Sequence, residues 1–115
     1  MDDKLALRVS QAGMRFIAQM TIYNSGDFER LRQYIVESYH PDLLTQESVE
    51  DRLAIFREQY DTIGKVRVKQ VIGSGKHHVI VVLGTENEEG YLLNEMQVEE
   101  DYPHLITVFG DVEEE

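Results

Sequence analysis

The chain of 115 residues contains no cysteine and no tryptophan, and it has only two prolines. The absence of cysteine excludes disulfides, thiolate zinc sites and cysteine nucleophiles. The longest apolar run, 79–83, is far shorter than the roughly 20 residues that a membrane span needs. The first residues carry acid at Asp2 and Asp3 and build no continuous apolar segment, so no signal peptide is evident. These absences predict a cytoplasmic protein that does not associate with a membrane.

Basic residues are missing from the second half of the chain. The net charge is −11, from 11 basic and 22 acidic side chains. All the basic residues fall within 1–76, whereas 77–115 holds acidic residues and neither lysine nor arginine. The negative charge of residues 77–115 repels a polyanion, so nucleic acid is not expected as a partner. The acidic residues are typical of a solvated sheet face with a frayed tail, or of a surface that attracts a basic protein partner.

The first half of the sequence has the apolar spacing of three helices. The first stripe predicts one amphipathic helix with an aspartate cap at its start; its members are Leu5, Val9, Ala12, Phe16 and Met20. Asp27 is a natural N-cap for the second helix, which Pro41 is expected to end. Thr45 is expected to cap the third helix, and Gly64 to terminate it in a left-handed conformation.

After the third helix the apolar period changes to two, as in β-strands. The alternation in the segment KVRVKQVI predicts a strand with one solvent-exposed face. The segment HHVIVVL is apolar on both faces, which predicts a central strand. YLLNEMQVEE and HLITVFG predict two more strands, and the short connections favour an antiparallel meander. The predicted fold class is therefore α+β, with three N-terminal helices packed on a curved, cone-like, four-stranded antiparallel sheet. One domain is expected over 1–110, followed by an acidic tail over 111–115.

The stretch VIGSGKHH combines a glycine-rich segment with adjacent histidines. A phosphate loop closes with Gly-Lys-Ser/Thr and leads into a helix, but here His77 follows Lys76 and a β-branched run comes next. Gly73, Ser74 and Gly75 are instead expected to supply the positive φ angles of a tight hairpin. His77 and His78 are expected to face opposite sides of a strand, so they cannot share one metal ion. No metal and no cofactor is predicted.

Four polar residues are the candidate ligand-binding residues: Tyr23, His78, Asn94 and Glu95. Asn94 and Glu95 alternate along one predicted strand, so one of the two is expected to point into a pocket. His40 and His104 are each isolated beside a proline. The sequence contains no nucleophile elbow, no dinucleotide fingerprint and no recognisable acid–base pair, so no catalytic residue is predicted.

Three segments, YNSGDFERLRQYI, YDTIG and EEDYPHLITVF, carry a resemblance to a known superfamily. The chain resembles the nuclear-transport-factor-two-like, cystatin-like α+β superfamily, which includes the SnoaL-like cyclases. More narrowly, it resembles small modules attached to β-lactamase-like serine hydrolases and to tail-specific peptidases. The resemblance covers about residues 5–110, and its landmarks are Asn24, Gly26, Asp27, Pro103, His104 and Ile106.

The resemblance implies a long first helix, helices packed on a strongly bent sheet and, often, a homodimer through the outer face of the sheet. Two departures limit what it implies about activity. The family commonly inserts a strand or hairpin between its second and third helices, where this chain has only HPDLL. No residue matches a catalytic pattern of the active branches, and a fold alone does not confer a function.

The favoured hypothesis is a non-catalytic module that forms a homodimer through its sheet and binds a small apolar ligand or a basic protein partner. The rival is a SnoaL-like isomerase, cyclase or hydrolase with a cone-shaped apolar pocket, whose polar cluster would come from Tyr23, His78 and Asn94 or Glu95. A third hypothesis is a companion of a separately encoded hydrolase. A closed cavity on the order of several hundred Å³ favours the enzyme, and a filled core with an apolar outer sheet face favours the module.

Overall fold

The computed structural model describes residues 3–87 and 90–112. Sequence predictions that involve Asp2, the turn at 88–89 and the tail at 113–115 lie outside these described residues. Helices form the first half of the chain and strands the second. In chain order the elements are α1 (Asp3–Arg8), α2 (Gln11–Ser25), α3 (Phe28–Ser38), α4 (Pro41–Gln46), α5 (Val49–Ile63), β1 (Val66–Ser74), β2 (His78–Thr85), β3 (Tyr91–Val98) and β4 (Ile106–Asp111).

The four strands form one antiparallel sheet in the order β1-β2-β3-β4. This confirms the α+β class, the meander and the central place of β2. Side chains alternate between the faces, and the buried set defines an inner face that packs against the helices: Val79, Val81, Leu83, Asn94, Met96 and Val98. The outer face carries the residues between them. Strand β4 runs to Asp111, the first residue of the predicted tail.

The predicted long first helix is wrong, because the chain breaks between Arg8 and Gln11 into α1 and α2. The Ser10 side chain accepts a hydrogen bond from Gly13 N at 3.0 Å and so caps α2. The break rotates α1 relative to the stripe, so Val9 is 69% exposed while Leu7 is fully buried. The remaining helices bring the number in the described residues to five, where the sequence predicted three.

The predicted boundaries of the middle helices are confirmed at the start of α3 and at the end of α5, and they differ at α4 and at the start of α5. Asp27 caps α3 as predicted, accepting from Arg30 N at 3.1 Å. Pro41 begins the short helix α4 instead of only ending α3. The cap of α5 is Ser48, where the sequence predicted Thr45. Gly64 follows α5 as its C-cap with a φ of 73° and a ψ of −149°, so the helix ends there as predicted, but the left-handed helical conformation expected for this cap is not adopted.

The β1–β2 hairpin forms without the expected positive φ angles. Gly73 and Ser74 belong to β1, and the described glycines with positive φ are Gly26, Gly64 and Gly90. The turn is closed by Gly75 N, which donates to His78 O at 2.7 Å. The expectation that Gly73, Ser74 and Gly75 supply positive φ angles is therefore wrong.

The core lies between the inner sheet face and the helices. Its fully buried side chains come from both layers: Leu7, Leu31, Ile35, Val79, Val81, Met96 and Ile106. Aromatic rings continue this core toward α5, where Tyr23 meets Tyr60 edge-on at 5.5 Å between ring centroids. None of the described helices is both long enough and apolar enough to cross a bilayer.

Candidate functional site

A small cavity lies inside the fold between α2, α5 and the inner face of the sheet. Its volume is about 20 Å³, which is room for roughly one water molecule. Two of the four predicted site residues, Tyr23 and Asn94, line it. The rest of the lining is Phe16, Gln19, Met20, Phe56, Gln59, Val66, Leu83 and Phe109. The interior is therefore almost filled by the protein's own side chains.

The Tyr23 side chain is buried and its hydroxyl is hydrogen-bonded within the protein. Its hydroxyl donates to Gly64 O at 2.9 Å, which ties α2 to the residue that ends α5. Burial raises the pKa of Tyr23 above its usual value of 10.0. A neutral hydroxyl that already donates to a backbone carbonyl is a structural group, and it is not positioned as a general base.

Asn94 is the inward-pointing member of the Asn94/Glu95 pair, as the alternation required. It is 6% exposed, and its Nδ2 donates to Asp111 Oδ1 at 2.7 Å. Since Asn94 and Asp111 are register partners on β3 and β4, this bond fastens the last residue of β4 to the central sheet. The Asp111 carboxylate is thus held beside the small cavity, at the place where this cavity continues into a surface groove.

This groove lies between α5 and the β3–β4 edge and has a volume of about 210 Å³. Its floor is apolar, with the rings of Phe56 and Phe109 at 5.9 Å between centroids. Polar groups surround the floor: Glu47, Arg52, Gln59, Asn94 and Asp111. The combination of an apolar floor and a few polar groups is typical of a small-ligand site, and the interior cavity behind it has room for roughly one water molecule.

Arg52 and Gln19 are buried polar residues that the sequence analysis missed. The Arg52 guanidinium donates to Glu47 O and Leu43 O, both at 2.9 Å, and so satisfies carbonyls at the C-terminal end of α4. Gln19 Oε1 accepts from the Tyr39 hydroxyl at 2.7 Å within the core. Gln19 could have been found, because it continues the helical spacing that Phe16 and Tyr23 share. Nothing in the local sequence distinguishes Arg52 from an exposed arginine.

His78 and Glu95, the other two predicted site residues, lie on the outer face of the sheet. His78 Nε2 and Glu95 Oε2 are 2.6 Å apart, and the two side chains are 43% and 31% exposed. The four predicted residues therefore form two separate pairs, one on each side of the sheet. Because they lie on opposite faces of the sheet, His78 and Tyr23 do not line a common pocket within the part of the chain that the structure describes.

His77 and His78 point apart, as predicted. The ring of His77 stacks on His104 with centroids 5.7 Å apart, a contact that the sequence did not predict. His40 lies near the same loop, with its Nε2 3.6 Å from Glu99 Oε2. Across residues 3–87 and 90–112, no three or more acidic or histidine side chains are arranged to hold a metal ion.

The centre of the outer face is apolar. Val82 and Leu93 are register partners on β2 and β3, and Ile80 lies two residues from Val82 on the same face. All three are partly exposed and stand apart from the residues that form the core. Among the described residues, helices contact the inner face, and this apolar centre is partly exposed to solvent.

No family model matches the chain, and neither a curated protein nor a solved structure does. The superfamily resemblance thus depends only on the residues that suggested it.

Proposed function

We propose that this chain is a non-catalytic binding module that self-associates through the outer face of its sheet. The observation that carries the proposal is the contrast between the two faces. The cavity that Tyr23 and Asn94 line on the inner face holds only about 20 Å³, whereas the outer face leaves Ile80, Val82 and Leu93 partly exposed to solvent. Adjacent aliphatic side chains on an open sheet face gain free energy when a second surface removes them from water.

A second copy of the chain is the partner that fits this face best. A closed two-fold contact covers the same apolar surface on both copies at once. The resemblance to the nuclear-transport-factor-two-like superfamily, which remains part of the proposal, points to the same face. The cytoplasmic location predicted from the sequence suits such a module and is also part of the proposal.

The rival hypothesis of a SnoaL-like enzyme has weaker support. Its polar candidates inside the fold, Tyr23 and Asn94, both hydrogen-bond to other groups of the protein. The groove of about 210 Å³ beside Asn94 and Asp111 favours a small-ligand function more than it favours catalysis. Such a ligand could bind there without interfering with a contact on the opposite face.

The test is a charged substitution at the centre of the apolar patch. We expect the wild type to have a dimer mass by light scattering at micromolar concentration, and Val82→Lys to have a monomer mass. The reason is that a dimer contact would bury the ammonium group away from water. Val36→Lys is the matched control, since Val36 is a 47% exposed valine on α3, and this variant should remain dimeric. A monomeric wild type contradicts the proposal.

A further inference from the structure

Two cations lie side by side at one corner of the outer face. A Cβ built on Gly84 would lie 3.1 Å from Arg67 Cζ and 3.0 Å from Lys69 Cε, so both side chains extend across the same glycine. Within the described residues, the ion pairs involve other cations, and no carboxylate lies within 4.0 Å of either group. Two like charges held this close create a local positive potential that favours an anionic partner.

Glu95 is the anionic group of the same face. The four strands contain two carboxylates, Glu95 and Asp111, and Asp111 is bonded to Asn94 on the inner side. Glu95 is bonded on one side by His78 and still has 31% of its side chain exposed. A carboxylate has capacity for several hydrogen bonds, so Glu95 can accept from a second cation.

The register sets Arg67 and Glu95 symmetrically about Val82. Arg67 pairs with Gly84, and Glu95 pairs with Ile80. Val82 is halfway between Gly84 and Ile80 on β2, the strand that separates β1 from β3. Strand spacings and residue rises place Arg67 and Glu95 about 8 Å from Val82, on opposite sides of it.

We propose that in the dimer, Arg67 and Lys69 of each copy contact Glu95 of the other copy, with the two-fold axis passing at Val82. This arrangement specifies the geometry of the self-association proposed above and rests on it. The axis lies in the plane of the interface, at right angles to the line from Arg67 to Glu95. A rotation of 180° about this axis places Arg67 and Lys69 of one copy opposite Glu95 of the other copy. Val82 then packs against its own symmetry mate, and the charges surround an apolar centre, as in stable interfaces.

The test is a charge-reversal cycle measured by sedimentation equilibrium. Arg67→Glu and Glu95→Arg should each raise the dimer dissociation constant at least about tenfold, because Arg67→Glu cancels the positive charge of the basic corner and Glu95→Arg places like charges together, in both cases at two symmetric positions. The double variant restores opposite charges and should return to within about fivefold of the wild type. Arg30→Glu and Glu58→Arg are matched reversals on the exposed sides of α3 and α5, and these should leave the constant unchanged.

The outcomes separate this inference from the proposed function. A monomeric wild type overturns both. A dimeric wild type whose double variant is as weak as the two single variants overturns the pairing alone. If Glu95→Arg does not fold, Glu95→Gln replaces it, and its dimer should be weaker and less sensitive to salt than the wild-type dimer. An unchanged salt dependence in Glu95→Gln also overturns the pairing.

Discussion

Gly13 is the residue at which one added methyl group should damage the fold most directly. A Cβ at this position would lie 2.1 Å from Leu7 O, 2.6 Å from Leu7 Cα and 2.7 Å from Leu7 C. All three contacts are with backbone atoms, so no change of side-chain rotamer can relieve them. For Gly13→Ala, α1 must therefore move away from α2 by about 1 Å or more.

The expected loss of stability follows from what that movement uncovers. Leu7 is fully buried, and exposing a leucine side chain costs about 1.5–3 kcal/mol. Alanine in a helix regains about 1 kcal/mol relative to glycine. Strain in the groups that stay packed adds to the loss, so the free energy of unfolding should fall by about 1–3 kcal/mol.

Urea unfolding followed by circular dichroism measures this change. Gly75→Ala is the control, because a Cβ there meets only His78 O at an ordinary 3.5 Å and its stability should change by less than about 0.5 kcal/mol. Leu7→Ala should cost about 2–5 kcal/mol in the wild type but much less in the Gly13→Ala background, where α1 is already displaced. If Gly13→Ala is as stable as the wild type, the close contact of α1 with α2 is refuted.

Two further predictions concern polar side chains with hydrogen bonds inside the fold, the half-buried Asn24 and the buried Tyr39. Asn24 makes two hydrogen bonds with the backbone of Val66, at 2.8 and 2.9 Å. Asn24→Ala and Asn24→Asp should therefore each lower the free energy of unfolding, measured in urea, by about 1–3 kcal/mol. Gln46→Ala, at an exposed position, is the control and should cause no measurable change. Burial raises the pKa of Tyr39 above its usual 10.0, so the unfolded chain loses this proton first. Stability should therefore be present below about pH 10 and be lost as pH rises further. Tyr39→Phe should show less of this alkaline loss, unlike Tyr102→Phe at an 89% exposed position; equal losses in both variants would contradict the assignment.

Signals that act within a few residues predicted much of the fold. The cap at Asp27, the termination at Gly64 and the period-two strands depend on local backbone chemistry, and the structure retains all of them. The inward direction of Asn94 follows from strand alternation in the same way. These elements were predictable because their local preference agrees with the tertiary packing.

The remaining features depend on contacts between distant segments. The apolar spacing of 5–20 suits one helix, but the chain breaks at Ser10, whose hydroxyl also donates to Gly75 O at 2.7 Å. The short helix α4 buries Leu43 and has too few residues to show a period. His78 and Glu95 were reasonable pocket residues until the register placed them on the outer face. Their contact with each other depends on strand pairing, which the sequence of either strand alone does not contain.

The glycine-rich stretch before His77 has a structural role that the sequence did not predict. A phosphate loop was excluded because no helix follows Lys76. A helix N-terminus is nevertheless adjacent, since Gln11 N and Ala12 N of α2 point at the loop from the other end of the chain. They donate to Lys76 O at 2.8 and 3.3 Å, so a carbonyl of the hairpin lies where an anion would bind. The hairpin therefore caps α2, and the segment that resembled a ligand site holds the two halves of the fold together.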